Sequence, residues 1–496
     1  MFPASFKWLF VSSFVVRVVS QTPFDPLQHS GPASPYFDAP SREGISSNTP
    51  SGCTVDQAAY ILRHGSRYPE PGSFQGWQTL FTKFQNATYT ARGPLRFIPS
   101  WTPPIDDEPH QPLFLSSTGA KEAFELGVEL RNLYGFTKGG DNFTVWAAAQ
   151  QRVFDTASYF LRGYLSQGNY LNNPQLNRGS IISLPDSVND TFANSLTPSS
   201  SCPTYNAGNT GSITSDLFRS TYQDGIARRL NKFLVGLTLT ASDIGIMQDL
   251  CGFSAEINGD TRFCDIFEEE EWLDYEYAHD LNYYYGSGPG NPLSATTGFP
   301  WVQEIARLFV GGPNISQVDK SGNLIPPPLI MGFTHDNNLP PVLSALGLWN
   351  TSATSPLSLT TPNSRRSFRS SYVVAFRGYI ALEKLTCERE LLSDEPAVHT
   401  SNVLGSLGSG NDHNETQLGS FVRVRVDKAP VTIPGCNSGP GSSCPIDDFM
   451  THLERRGVIA GDFVERCGLQ GVKDATSLVT FLTTQPPPNS IQLVGI

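Results

Sequence analysis

Arg63, His64 and Arg67 have the residue types and the spacing to handle a phosphoryl group. They lie in the stretch Arg63-His64-Gly65-Ser66-Arg67-Tyr68-Pro69. A phosphoryl group spreads negative charge over its oxygens, and a planar, permanently charged guanidinium can grip two of them at once, where an ammonium acts only as a point charge. A neutral imidazole nitrogen beside such forks can attack phosphorus and carry it covalently. Gly65 leaves the backbone free to approach the anion closely. An Arg-His pair alone would read as a strand-end histidine beside solvated arginines. The full pattern fixes five positions, and a chance match in a chain this long is about one in ten thousand.

The surrounding elements must hold this stretch at a strand's carboxyl end. Ala58-Ala59-Tyr60-Ile61-Leu62 is a continuous apolar run with the length of a buried strand, and Pro69, Pro71 and Gly72 end it. Open α/β sheets gather their ligand sites at that edge. Two more strand ends carry related chemistry. Phe143 to Ala149 reads as a strand, and a helix follows from Val153 to Leu165, so Arg152 falls at a strand-to-helix junction. Pro326 to Thr334 restores the strand pattern and ends in His335 and Asp336, ahead of an apolar helical run to Leu348.

The Arg-His-Gly-x-Arg-x-Pro stretch and the His335-Asp336 pair resemble the two signatures of the histidine acid phosphatases, in the family's order and separation. That branch of the histidine phosphatase superfamily includes fungal acid phosphatases and phytases. The resemblance implies an α/β fold, a phosphoglycerate-mutase-like sheet domain with a mostly helical insertion domain. It also implies roles: His64 as nucleophile, Asp336 as proton donor to the leaving alcohol, and Arg63, Arg67, Arg152 and His335 as ligands of the substrate phosphate. No metal or other cofactor is expected, because the arginines supply the positive charge. Eight cysteines allow about 105 pairings by sequence alone. The resemblance implies four: Cys53 with Cys387, Cys202 with Cys467, Cys251 with Cys264, and Cys436 with Cys444. A zinc site is disfavoured, since no Cys-x-x-Cys or His-x-x-x-His spacing occurs.

Residues 1–20 carry Lys7, an apolar core from Trp8 to Val16, and small or apolar residues before Gln21. This reads as a secretory signal peptide, too short for a membrane span and interrupted by Arg17. Export agrees with an even cysteine count and with six glycosylation triplets, at Asn86, Asn142, Asn189, Asn314, Asn350 and Asn414. A secreted, extracellular protein is expected. Its net charge of -12 argues against a nucleic-acid partner or an anionic membrane.

At 496 residues, with 39% hydrophobic and 11% aromatic side chains, the chain can bury a large core. Residues 21–52 read as an amino-terminal arm, 53–165 and 320–482 as a discontinuous α/β domain, 166–319 as a mainly helical insertion, and 483–496 as a flexible tail. Within this frame, Gly119 to Tyr134 shows amphipathic spacing at Ala123, Leu126, Leu130 and Leu133. Residues 170–210 read as loop. A β-rich run, Ser371 to Phe376, is followed by a helix from Arg377 to Leu385, a strand from Phe421 to Val426 and a helix from Ile446 to Arg456. The run Glu268 to Glu271 reads as a dipole-complementing helix start rather than a calcium site, and His279 as structural.

Substrate choice follows from charge. Just past the first signature, where phytases of the family place lysines, this chain has Glu70-Pro71-Gly72-Ser73-Phe74-Gln75-Gly76. In the insertion, where that branch carries Lys-Lys before Tyr-Tyr-Gly, it has Asn282-Tyr283. Both departures remove cationic charge. A broad acid phosphatase is therefore expected, with phytase as the alternative enzyme and a non-catalytic phosphate-binding protein as the alternative class. A mutase is disfavoured by export and by the His-Asp pair.

Overall fold

The computed structural model describes residues 23–41, 43–138, 142–166, 178–186, 190–313, 324–349, 356–389 and 417–494. Residues 1–20, expected as a signal peptide, and Asn189, Asn314, Asn350 and Asn414 lie outside them. Asn86 and Asn142 are exposed.

The main sheet has nine strands: β1 (Cys53–Arg63), β2 (Phe143–Ala148), β3 (Gly179–Leu184), β4 (Leu329–Thr334), β5 (Tyr379–Arg389), β6 (Gln417–Val426), β7 (Ala429–Val431), β8 (Cys444–Pro445) and β9 (Ile491–Val494). Their order is β8-β6-β5-β1-β4-β2-β3-β9, with β7 paired to β6. Strands β1, β4, β2 and β3 run parallel, so four carboxyl ends open on one edge. Strands β5, β6 and β9 pair antiparallel on the flanks.

Successive side chains of a strand face opposite layers. On β1, Ala58, Tyr60 and Leu62 pack toward α2 (Ser117–Tyr134) and α3 (Gln151–Leu165), with Leu126, Leu130, Phe160 and Leu161. Ala59 and Ile61 join the other, larger core, shared with the remaining helices. Helix α2 starts where the Ser116 hydroxyl caps Gly119 N and stops at Gly135, whose φ of 61° suits glycine. Its inward stripe includes Ala123, Leu126 and Leu130, while Leu133 is exposed. The site-facing cover comes from α1 (Pro71–Asn86), α4 (Gly211–Leu230), α5 (Ala241–Asn258) and α6 (Glu269–Gly286). Glu269, Glu270 and Glu271 occupy the first turn of α6, and Glu271 accepts from Arg229. His279 is buried against Tyr275.

Several sequence expectations need correction. Residues 379–389 form β5 rather than a helix, and the β-rich run before it holds a short helix, Ser370–Val373. Ala381, Leu382, Glu383 and Lys384 are good helix formers, but the segment lies between β1 and β6, and sheet pairing overrides propensity. Glu383 is fully buried there and accepts from Arg423 and Arg425 of β6, at 2.7 and 2.9 Å. Residues 179–184, expected as loop within the insertion, are β3 of the sheet. Their Gly-Ser-Ile-Ile-Ser-Leu sequence hides a strand behind two serines. The flexible tail expected over 483–496 ends in β9, which pairs with β3 and covers an edge that would otherwise be open.

Disulfides join Cys53 to Cys387, Cys202 to Cys467, Cys251 to Cys264 and Cys436 to Cys444. The first staples β1 to β5 at directly opposed positions. Among the described residues no helix is long and apolar enough to cross a membrane.

Candidate active site

Each of the four parallel strands delivers polar residues at its carboxyl end. Arg63 ends β1 and His64 follows it, Gln150 and Arg152 follow β2, Asp186 follows β3, and His335 and Asp336 follow β4. A cleft of about 380 Å³ opens above them, lined in part by Glu70, Gln150, Arg152, Tyr283, His335 and Asp336.

The loop after β1 is clamped from three sides. Ser66 O accepts from Ser116 N at 2.9 Å and from Ser116 Oγ at 3.0 Å, at the start of α2. Gly65 N donates to Thr156 Oγ1 of α3 at 3.0 Å. The amino-terminal arm supplies Pro32 O, which accepts from Arg63 Nη1 at 2.6 Å. A Cβ on Gly65 would lie 2.8 Å from Gly119 O. Gly65 is thus required by the approach of α2, a reason that differs from the anion contact expected from sequence.

His64 is 1% exposed. Its Nδ1 lies 2.9 Å from Gly65 O, an acceptor only, so Nδ1 carries the proton and Nε2 keeps its lone pair. Burial, then Arg63, Arg152, Arg67 and His335, push its proton affinity well below the ordinary histidine range. The ring is neutral and nucleophilic.

The three arginines are buried, and their Nε–H groups have no hydrogen-bond partner. Arg63 rests over the Phe376 ring at 4.4 Å. Arg67 donates to Tyr68 O at 2.9 Å and pairs with Glu70 at 3.0 Å. Burial and the charges of Arg63 and Arg152 push Arg67 down to about 10. Buried polar hydrogens normally find partners. Three crowded guanidiniums with unpartnered donors form a socket for an anion.

His335 stands beside this socket, its ring centroid 5.7 Å from that of His64. Arg152 Nη2 reaches His335 Nδ1 at 3.4 Å, and His335 Nε2 meets Asp186 Oδ2 at 2.9 Å. Asp336 pairs with Arg63. Burial raises the proton affinity of Asp336, but Arg63, Arg67 and His335, with a hydrogen bond from Tyr283, hold it below the usual carboxylate value.

All six residues singled out from sequence therefore meet in one place. Asp186, Tyr283 and Glu70 join them. Asp186 obeys the same strand-end rule and was hidden with its strand. Tyr283 arrives from α6, at the Asn282-Tyr283 position that the sequence marked only for its missing lysines.

Branch 2 of the histidine phosphatase superfamily matches residues 54–426, well over half of the chain. The chain belongs to this family. An acid phosphatase of Komagataella pastoris is 29% identical over 453 residues, 89% of this chain and 86% of that protein. A phytase of Candida albicans is 30% identical over 452 residues, 89% of this chain and 87% of its own length. The crystal structure of a phytase from D. castellii aligns with a TM-score of 0.75 at 24% identity, covering 95% of this chain and 94% of that one. That likeness is one of fold. In this histidine phosphatase the mixed sheet is covered by helices on both faces, and the two signatures lie side by side at the ends of the neighbouring parallel strands β1 and β4.

Proposed function

We propose that the chain is a secreted acid phosphatase that hydrolyses phosphate monoesters through a phosphohistidine on His64. The observation that carries this reading is the buried, neutral imidazole with a free Nε2, set among three guanidiniums with unpartnered donors. Arg63, Arg67, Arg152 and His335 bind the phosphoryl oxygens and offset charge in the transition state. His64 Nε2 attacks phosphorus as the bond to the ester oxygen breaks. Asp336, in its acid form, gives that oxygen its proton, because an alkoxide is a poor leaving group. Water then attacks the phosphohistidine, its proton returns to Asp336, and the N–P bond breaks to release orthophosphate. Export is supported by the leader-like residues 1–20 and by four disulfides.

The cleft wall favours a substrate with one phosphate and a polar organic part. Its lining offers Ser199, Asn206, Asn209, Asn282 and Asn338, includes the carboxylate of Glu70, and contains no lysine among the described residues. Phytate carries many more negative charges than such a wall can offset. Phytase is the second reading, favoured by the similarity to the Candida albicans phytase. The deciding measurement is kcat/KM for phytate relative to that for p-nitrophenyl phosphate across the acid range. A ratio well below one is expected. A ratio well above one would establish the phytase, and no phosphate release from either ester would leave a binding protein.

A further inference from the structure

Ser66, in the middle of the first signature, is fully buried and faces two carboxylates that the proposed reaction does not use. Its Oγ lies 3.1 Å from Glu122 Oε2 of α2 and is also hydrogen-bonded to Glu256 Oε2 of α5. A hydroxyl has one proton to donate. It can satisfy one carboxylate as donor and meet the other as acceptor only if that other carboxyl carries a proton. Two anions, at the half-buried Glu122 and the buried Glu256, converging on one hydroxyl would be left short of a donor and would repel each other. Glu256 also sits two residues before the end of α5, where unpaired carbonyls disfavour an anion.

We propose that Glu122 and Glu256 are positioning residues that share one proton through Ser66, and that this proton holds the loop bearing Arg63, His64 and Arg67 in its anion-binding form. The inference rests on the reading of that loop as the phosphate site. Ser66 lies two residues after His64 and one before Arg67, and its carbonyl is fixed to Ser116. When the shared proton leaves, one carboxylate must withdraw from Ser66, and the loop loses a side-chain anchor. The groups that face the pair set where this happens. Burial, then Glu256, raise Glu122, Arg377 opposes them, and Glu125 adds to the rise, with a balance at about 7. Burial raises Glu256 as well. The site would thus be assembled in acid and loosened above neutrality, independently of the protonation of Asp336.

The test compares wild type with Glu122→Gln and Glu256→Gln from pH 4 to 9, reading kcat/KM for p-nitrophenyl phosphate and affinity for sulfate, whose charge is constant in that range. A glutamine amide donates to Ser66 at every pH. The basic limb of both readouts is expected to move up by about half a pH unit or more. Deleting a negative charge near the site would by itself make protons leave more readily and move the limb down. An unmoved or lowered limb overturns the proposal. Should both variants fail to fold, infrared difference spectra of the wild type must contain a buried carboxyl band that disappears near pH 7, with a midpoint raised by sulfate. Absence of that band, or indifference to sulfate, also overturns it. Failure of the phosphatase reading is a separate outcome: wild type would release no phosphate at pH 5, while sulfate binding would still report on the loop.

Discussion

Arg63 and Asp336, from the two signatures, form an ion pair, with Nη2 3.1 Å from Oδ2. In the free protein the arginine keeps the carboxyl ionised, which is the wrong state for an acid. A phosphoryl dianion would change this. It would take up the charge of Arg63 and Arg67 while leaving the burial of Asp336 intact, so the carboxyl would gain proton affinity as substrate enters. Sulfate can stand in for the substrate. A carbon-13 NMR titration of the Asp336 carboxyl is expected to show its midpoint rising by about one unit or more when sulfate is added. A midpoint that stays or falls would remove Asp336 as the acid. Asp336→Asn should slow alkyl phosphates by about 10²–10⁴-fold and an aryl phosphate with a good leaving group much less.

His64 is surrounded by groups that bind anions without it. His64→Ala should therefore lower turnover by about 10⁴-fold or more while keeping sulfate affinity within several-fold of wild type. Rapid quench into alkaline detergent, in which an N–P bond survives, with ³²P-labelled ester should trap a labelled wild-type protein and an unlabelled variant. A labelled variant would move the nucleophile elsewhere.

The turn of α2 over the signature loop leaves no room at Gly119. A Cβ there would lie 2.1 Å from Ser66 O and 2.7 Å from Ser66 N, and backbone cannot step aside as a flexible side chain can. Gly119→Ala should cost about 1–3 kcal/mol and reduce kcat/KM at temperatures well below unfolding, because the displaced atoms sit beside Arg67. Gly76, inside α1, gives the contrast. Its added Cβ would meet Ile246 at an ordinary 3.5 Å, so Gly76→Ala should stabilise by about 0.5–1 kcal/mol and leave kcat/KM alone. Melting temperatures of both variants, with rates at 25 °C, check the pair of expectations.

The site was far more legible in sequence than the sheet that carries it. Arg63, His64 and Arg67 could be read because a strand end announces itself by an apolar run followed by proline and glycine, and because few jobs need two arginines around a histidine. Arg152, His335 and Asp336 also stand at strand ends, but their roles came from the resemblance to the histidine acid phosphatases. Strand β3 lacked that signal, since Ser180 and Ser183 break its apolar run, and Asp186 was lost with it. The bond of Tyr283 to Asp336 and that of Glu256 to Ser66 come from helices far along the chain, and only tertiary packing makes them. Strand β5 misled because its residues favour a helix locally and are overruled by neighbours on both sides. In each miss the deciding information was long-range.

Two glutamates, the buried Glu276 and the half-buried Glu122, should give the fold its greatest stability in acid. Burial raises Glu276, but a hydrogen bond with His29 and the charges of Arg366 and Arg369 outweigh it and bring Glu276 down to about 2. A depressed carboxyl contributes stability above its unfolded value, near 4.5, and loses that contribution as pH falls through 2. Glu122 has the opposite sign. Its folded value of about 7 exceeds 4.5, so the folded protein binds more protons between those limits, and the contribution is complete below 4.5 and lost as pH rises through 7. Each window spans about 3 kcal/mol at one pKa unit per 1.4 kcal/mol. The melting temperature should therefore peak between about pH 4 and 5 and fall on both sides. Glu122→Gln should flatten the neutral side only. Glu276→Gln should flatten the acid side while lowering the whole curve, because Arg366 and Arg369 lose a buried partner, at about 3–5 kcal/mol. Calorimetric scans of the three proteins from pH 2 to 8 decide it, and a Glu122→Gln curve parallel to wild type through neutrality would place that proton elsewhere.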